Sequence, residues 1–294
     1  MELFLERLIV GIGRGSIYAL LALAIVLIFR STGILNFAQG EMAMFSTFVA
    51  WTFQYNGANV WVSILAAMLL SLLGGALIER VIIRPVEGGS PLNIVIVTVG
   101  MFLALNALAQ WIWGTEARTF ANPFPNEAYD LGGVSIDADL LGRLAVLAIV
   151  AFVLYLLFQK TKLGLAMRAV ASNTESSGLV GIQVGRMLMI GWGLAAALGA
   201  LAGSLTAARN SQFDTNFMIS VLVFSFAAAT LGGLDSPLGA VVGGLIVGVV
   251  QELVGAYVGF VGTDLRDGAA FVIILVILLV KPSGLFGKQT VARV

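Results

Sequence analysis

Asn36, Gln39 and Glu41 lie close together between two long apolar runs, beside Gly33 and Gly40. A carboxylate at the centre of a bilayer costs about 2.5–3.5 kcal/mol, so such groups usually face a cavity or a partner. Two readings follow: a polar lining of a substrate path, or an interfacial joint in which Glu41 is hydrated or pairs with Arg30. Ser16 and Tyr18 in the first run are further candidates. So are Asn106 and Gln110, which are four apart and therefore share a helical face. Interhelical hydrogen bonding is the competing explanation for such amides. Asp235 and Ser236 sit at a second polar interruption, and Glu252 is one more carboxylate inside an apolar run. Arg14 reads as an arginine snorkelling toward an interface, and Glu79 and Arg80 as solvated boundary residues.

The chain contains no histidine and no cysteine. A Ser-His relay, a histidine-ligated zinc, a bis-histidine haem and thiolate metal sites are therefore excluded. No stretch resembles a carboxylate-only active site, so neither a catalytic residue nor a metal site is expected. Net charge is zero and no basic patch points to nucleic acid.

Residues of this kind must be positioned by membrane-embedded elements. Of 294 residues, 59% are hydrophobic and 11% charged, against about 25% charged in ordinary soluble domains. The expected class is an all-α polytopic membrane protein, one transmembrane domain over 1–294 in contact with membrane lipid. About 20 residues cross the hydrocarbon core. Candidate spans are 8–29, 40–53, 60–83, 92–113, 140–158, 187–208, 218–231, 238–258 and 268–280. The second, seventh and ninth are short, as broken or re-entrant helices are, so about eight to ten crossings are expected. Breaks are expected near 33–40 and 232–239. In the second, Gly232, Gly233, Asp235, Ser236 and Pro237 cannot continue an unbroken helix. Gly239, Gly243, Gly244 and Gly248 then make overlapping small-residue patterns suited to close packing within the chain. The N-terminus lacks the basic start of a cleaved signal and reads as a retained first helix.

Lysine and arginine in the joints set the orientation. Residues 159–186 carry Lys160, Lys162, Arg168 and Arg186 against Glu175, and the tail carries Lys281, Lys288 and Arg293. Both regions, with Arg80 and Arg84, are expected to be cytoplasmic. The loop 114–139, rich in acids and with turn residues at Asp130, Gly132 and Gly133, is expected to be external. Within 162–186, Ser172 and Glu175 fit a capping box that starts a short helix. Gly178 or Gly181 ends that helix, and a helical turn or two precedes it. Two short helices between spans make a knob suited to a partner's groove, or a solvated loop.

Three stretches together resemble a known family. They are Gly15-Ser-Ile-Tyr-Ala-Leu-Leu-Ala-Leu-Ala24 with Gly33-Ile-Leu-Asn-Phe-Ala-Gln-Gly-Glu41, then 164–186 with its small-residue helix, and Leu231-Gly-Gly-Leu-Asp-Ser-Pro-Leu-Gly-Ala-Val-Val-Gly243. With Glu79-Arg80 and Arg84-Pro85, the chain resembles the permease subunits of branched-chain amino acid ABC importers, a family that includes urea and short-amide permeases. Gln39 and Arg14 depart from its usual pattern, which leaves the solute open.

The resemblance implies that 164–181 is a coupling helix docking on a cytoplasmic ATPase, through Gly164, Met167, Arg168, Ala171, Ser172, Asn173, Glu175, Ser176 and Gly181. It implies two ATPase subunits holding ATP and magnesium, and a second permease subunit, related but not identical. It also implies a periplasmic or extracellular substrate-binding protein meeting 114–139, and a bacterial-type cytoplasmic (inner) membrane crossed many times. Ser16, Tyr18, Asn36, Gln39, Glu41, Asn106, Asp235 and Ser236 are the candidates for the substrate path. No cofactor is expected in this chain: Gly284-Leu-Phe-Gly-Lys-Gln-Thr lacks the glycine spacing of a phosphate loop, and Gln289 takes its Ser/Thr place. The resemblance points to a solute among branched-chain or other small amino acids; the alternatives are a urea or short-amide ABC permease and, behind it, an ion-gradient transporter using Glu41, Asp235 or Glu252.

Overall fold

The computed structural model describes residues 2–33, 35–87, 89–131, 134–210, 212–257, 268, 271–272, 275–277, 279 and 284–287. In chain order the main elements are α1 (Glu2–Thr32), α2 (Gln39–Tyr55), α3 (Val60–Ile78), α4 (Pro91–Trp113), β1 (Ala128–Leu131), β2 (Val134–Asp137), α5 (Ala138–Lys160), α6 (Lys162–Ser172), α7 (Thr174–Leu179), α8 (Val184–Arg209), α9 (Met218–Gly232) and α10 (Pro237–Tyr257). Among the described residues, six helices are long and apolar enough to cross a membrane: α1, α3, α4, α5, α8 and α10. The chain is an all-α polytopic membrane protein. The first eight expected spans fall on helices, and α2 and α9 are the short ones at 17 and 15 residues. The candidate span 268–280 lies largely outside the described residues, as do Lys281, Lys288, Arg293, Gly132 and Gly133.

The chain forms two compact units. Residues 1–26, 124–151 and 223–294 make the first. In it α1 crosses α10 at glycines: a Cβ on Gly15 would stand 2.7 Å from the Gly244 carbonyl oxygen, so any side chain there would drive the helices apart. That approach brings α1 arginines against α10. Arg14 Nε lies 2.7 Å from Glu252 Oε1, and Arg7 lies 3.9 Å from the same carboxylate. Arg14 is thus ion-paired inside the unit instead of snorkelling. Arg143 is buried, held by Asp139 at 2.7 Å and the Gly13 carbonyl at 3.0 Å.

Residues 27–123 and 152–222 make the second unit. Its centre is α8, whose glycine and alanine face lets α2 and α3 pack closely. A Cβ on Gly193 would stand 2.6 Å from the Leu72 carbonyl, and one on Gly75 2.6 Å from that of Trp192.

Both expected breaks occur. The first helix ends at Thr32, and Gly33 takes φ +72°, where a side chain would be strained. The second break runs between α9 and α10, with Gly233 at φ +100°. There Ser236 Oγ accepts from the Gly239 N–H at 3.0 Å and caps α10, whose first residue is Pro237. The Leu285 and Phe286 N–H groups donate to the Leu231 and Gly232 carbonyls at 2.7 and 3.0 Å, satisfying the end of α9.

Two features differ from the sequence reading. Part of 114–139 is a hairpin, β1 antiparallel to β2, so Asp130 belongs to a strand instead of a turn. The cap of α7 is Asn173, not Ser172: the Asn173 side chain accepts from the Ser176 N–H at 2.8 Å. Ser172 is still inside α6, whereas Asn173 has the extended backbone (φ −156°, ψ 105°) that a cap requires.

Candidate functional site

At the first break, the sequence Asn36-Phe-Ala-Gln39 turns the chain into α2. Asn36 Oδ1 accepts from the Ala38 N–H at 3.0 Å, closing the turn. Its Nδ2 reaches Gln39 Oε1 at 3.2 Å and Met42 Sδ at 3.4 Å. Gln39 Nε2 in turn donates to the Ala195 carbonyl of α8 at 3.0 Å. One residue beyond Gly40, Glu41 is 1% exposed and accepts from Asn106 Nδ2 of α4 at 3.2 Å. That same nitrogen donates to the Thr215 carbonyl at 3.0 Å, and Gln110 Nε2 donates to Asn106 Oδ1 at 2.6 Å. Glu41 is therefore neither hydrated nor paired with Arg30, which lies over the Phe158 ring at 5.1 Å. Asn36 with Gln39, and Glu41 with Asn106 and Gln110, thus form two separate hydrogen-bonded sets, the first tying the break to α8 and the second tying α2 to α4. Together the two sets offer a carboxylate and four amides, groups that can exchange their bonds for those of a polar solute.

Ser16 and Tyr18 lie in the first unit. Ser16 Oγ is spent on the Gly13 carbonyl at 2.8 Å. Tyr18 OH donates to Gln251 Oε1 at 2.7 Å, and its ring stacks on Phe224 at 5.2 Å. Asp235 is exposed in the second break, next to the capping Ser236. Gln251 was missed from sequence, although Gln251-Glu252 is a conspicuous polar pair in the apolar run of α10. The Thr215 carbonyl left no sequence signal, being backbone.

The segment 162–186 folds as the two short helices α6 and α7. Thr161 Oγ1 accepts from the Gly164 N–H at 3.0 Å and starts α6. Gly164 is buried against the Leu157 carbonyl and Phe158 backbone, where a Cβ would collide. Met167 and Val170 face inward, and Arg168 Nη1 donates to Gln159 Oε1 at 3.3 Å. Ala171, Ser172, Asn173, Glu175 and Ser176 are exposed. Gly181 has φ +87°, and the Ile182 N–H returns to the Ser177 carbonyl at 3.0 Å, ending α7. At the tip, Leu179 and Val180 are 84% and 77% exposed.

Glu79 departs from its reading as a solvated residue. It is 0% exposed and binds Arg84 through both carboxylate oxygens, at 3.1 and 2.7 Å. Arg80 is exposed. Burial holds the nearby Glu87 carboxyl above its ordinary range; Glu79 adds to this and Arg84 opposes it.

The model of the family described as branched-chain amino acid transport system, permease component, matches residues 7–280. The LivH permease protein of the Salmonella typhimurium high-affinity branched-chain amino acid transport system is 29% identical over 304 residues, covering 99% of this chain and 98% of its own. BraD, from the corresponding system of Pseudomonas aeruginosa, is 28% identical over 305 residues with the same coverage, 99% and 98%. The guanosine ABC transporter permease protein NupQ of Bacillus subtilis is 27% identical over 241 residues, covering 76% of this chain and 73% of its own. With a match running from the first turns of α1 past the end of α10, the chain belongs to the family of permease components of branched-chain amino acid transport systems.

Proposed function

We propose that this chain is the transmembrane permease subunit of an ABC importer for branched-chain or other small amino acids, driven by two separate cytoplasmic ATPase subunits. On this reading ATP and magnesium are held by those partners, and the chain itself makes and breaks no covalent bond. A second permease subunit, related but not identical, completes the path. A periplasmic or extracellular binding protein delivers the solute to the 114–139 side, and the assembly sits in a bacterial-type cytoplasmic membrane.

The observation that carries the reading is the α6–α7 knob, a two-helix body between the spans α5 and α8 whose tip leaves Leu179 and Val180 bare. Two adjacent large apolar side chains exposed at the end of α7 are what a groove on a partner would cover. Rigid-body displacement of such a knob by ATP binding and hydrolysis is a recognised way to rock spans between two access states. The buried network around Glu41 and Asn106 supplies polar partners for a solute within the spans. The solute class rests on relatives: the branched-chain permeases align over almost their full length, the guanosine permease over about three quarters of its own.

The test is uptake of radiolabelled leucine, urea and guanosine by the complex reconstituted with its ATPases and binding protein. Leucine uptake that requires ATP and persists with an ionophore is expected. Uptake that follows an ion gradient and ignores ATP would overturn the proposal, and preference for urea or guanosine would overturn the solute class.

A further inference from the structure

The end of α3 has an unusual local geometry. Residues Glu79–Ile83 form a π turn, and the Arg84 N–H bonds to the Glu79 carbonyl five residues back. On a regular α-helix those two residues would project about 140° apart. The wider turn returns them to one side, where Arg84 Nε and Nη2 bind both Glu79 oxygens. Pro85 follows and has no N–H to continue the ladder. Arg84 Nη2 also donates to the Gly185 carbonyl at 2.8 Å, in the first turn of α8. A Cβ on Gly185 would stand 2.9 Å from the guanidinium carbon, so bare backbone lets the arginine approach. A single guanidinium therefore ties the end of α3 to the segment through which the α6–α7 knob returns into α8. Further along, α3 and α8 are in close contact at Gly75 and Gly193, and the Ala195 carbonyl of α8 accepts from the buried Gln39 of α2.

We propose that Glu79, Arg84 and Gly185 act as positioning residues for energy coupling, a strut that makes α3 and α8 move together when the knob is displaced. The inference rests on the reading of α6–α7 as the ATPase-docking element and deepens it by naming what connects that element to the spans. Stability alone is a poor explanation for the pair. Desolvating Glu79 offsets much of the attraction, and apolar side chains would pack the same corner without that cost. A two-pronged guanidinium bond adds direction, which apolar packing lacks. Without the strut, the stretch 180–185 can bend and absorb the displacement before it reaches α3.

The test uses the reconstituted complex with its ATPases and binding protein. Absence of ATP-dependent leucine uptake by the wild type would overturn the proposed function, and this inference with it. Arg84→Lys keeps a positive charge beside Glu79 but cannot span the carboxylate and the Gly185 carbonyl together. The expected result is normal assembly and unchanged unstimulated ATP hydrolysis. Uptake and binding-protein-stimulated hydrolysis per assembled complex should fall about 2- to 30-fold. Gly185→Ala leaves the ion pair in place, pushes the guanidinium off the carbonyl, and is expected to give the same pattern more weakly. Full uptake and full stimulation in both variants would overturn the strut alone. So would loss of assembly in both, or lost uptake fully explained by fewer complexes with unchanged turnover in each.

Discussion

Asn106 divides one amide nitrogen between the Glu41 carboxylate and the Thr215 carbonyl. Asn106→Leu would leave a buried carboxylate without a donor, so a loss of about 1–3 kcal/mol is expected, read as a lower melting temperature of the purified protein. Asn36→Leu removes the turn-closing acceptor and the contact to Gln39. It is expected to impair uptake more than assembly, and normal uptake would return Asn36 to a purely architectural role. Parts of this site are legible in the sequence because polar residues interrupt apolar runs: Asn36, Gln39 and Glu41 at one break, Asn106 and Gln110 at helical spacing. Their partners are not legible. Arg14 meets Glu252, and Glu79 draws Arg84 onto Gly185, through contacts made only when distant helices pack. Read singly, a charge in an apolar run looks solvated or snorkelling; burial with a partner is a tertiary property.

At the level of elements, apolar runs of span length became helices because in lipid every backbone N–H and C=O must be satisfied within the segment. The hairpin was hidden by its brevity: Ala-Tyr-Asp-Leu and Val-Ser-Ile-Asp are four-residue strands, too short to show a clear two-residue period. The α7 cap moved by one residue, the scale on which helix ends are poorly specified by local sequence. The two assignments are separable by experiment. Asn173→Ala is expected to cost about 0.5–2 kcal/mol and loosen α7, whereas Ser172→Ala is expected to be nearly neutral. Hydrogen exchange across 173–182 reads the difference. Close helix contact is equally testable. Gly203→Val would force a side chain into Thr47 and the Ala43 carbonyl of α2, with an expected cost of about 1–3 kcal/mol in thermal stability.

At the scale of the whole molecule, the proposed function places the transport energy on another protein and leaves to this chain the path and the handle by which it is moved. Under the proposed function, the exposed tip of α7 serves as that handle. Leu179→Asp is expected to weaken association with the ATPase subunits while leaving the permease folded, as judged by co-purification and an unchanged melting temperature. The most direct measurement is uphill leucine uptake into liposomes holding the permease pair, with and without the ATPase subunits, at a clamped ion gradient. Accumulation is expected only when the ATPases and ATP are both present, and none from the permease alone. Accumulation by the permease alone, or accumulation that tracks the ion gradient with ATP absent, would contradict the proposed function.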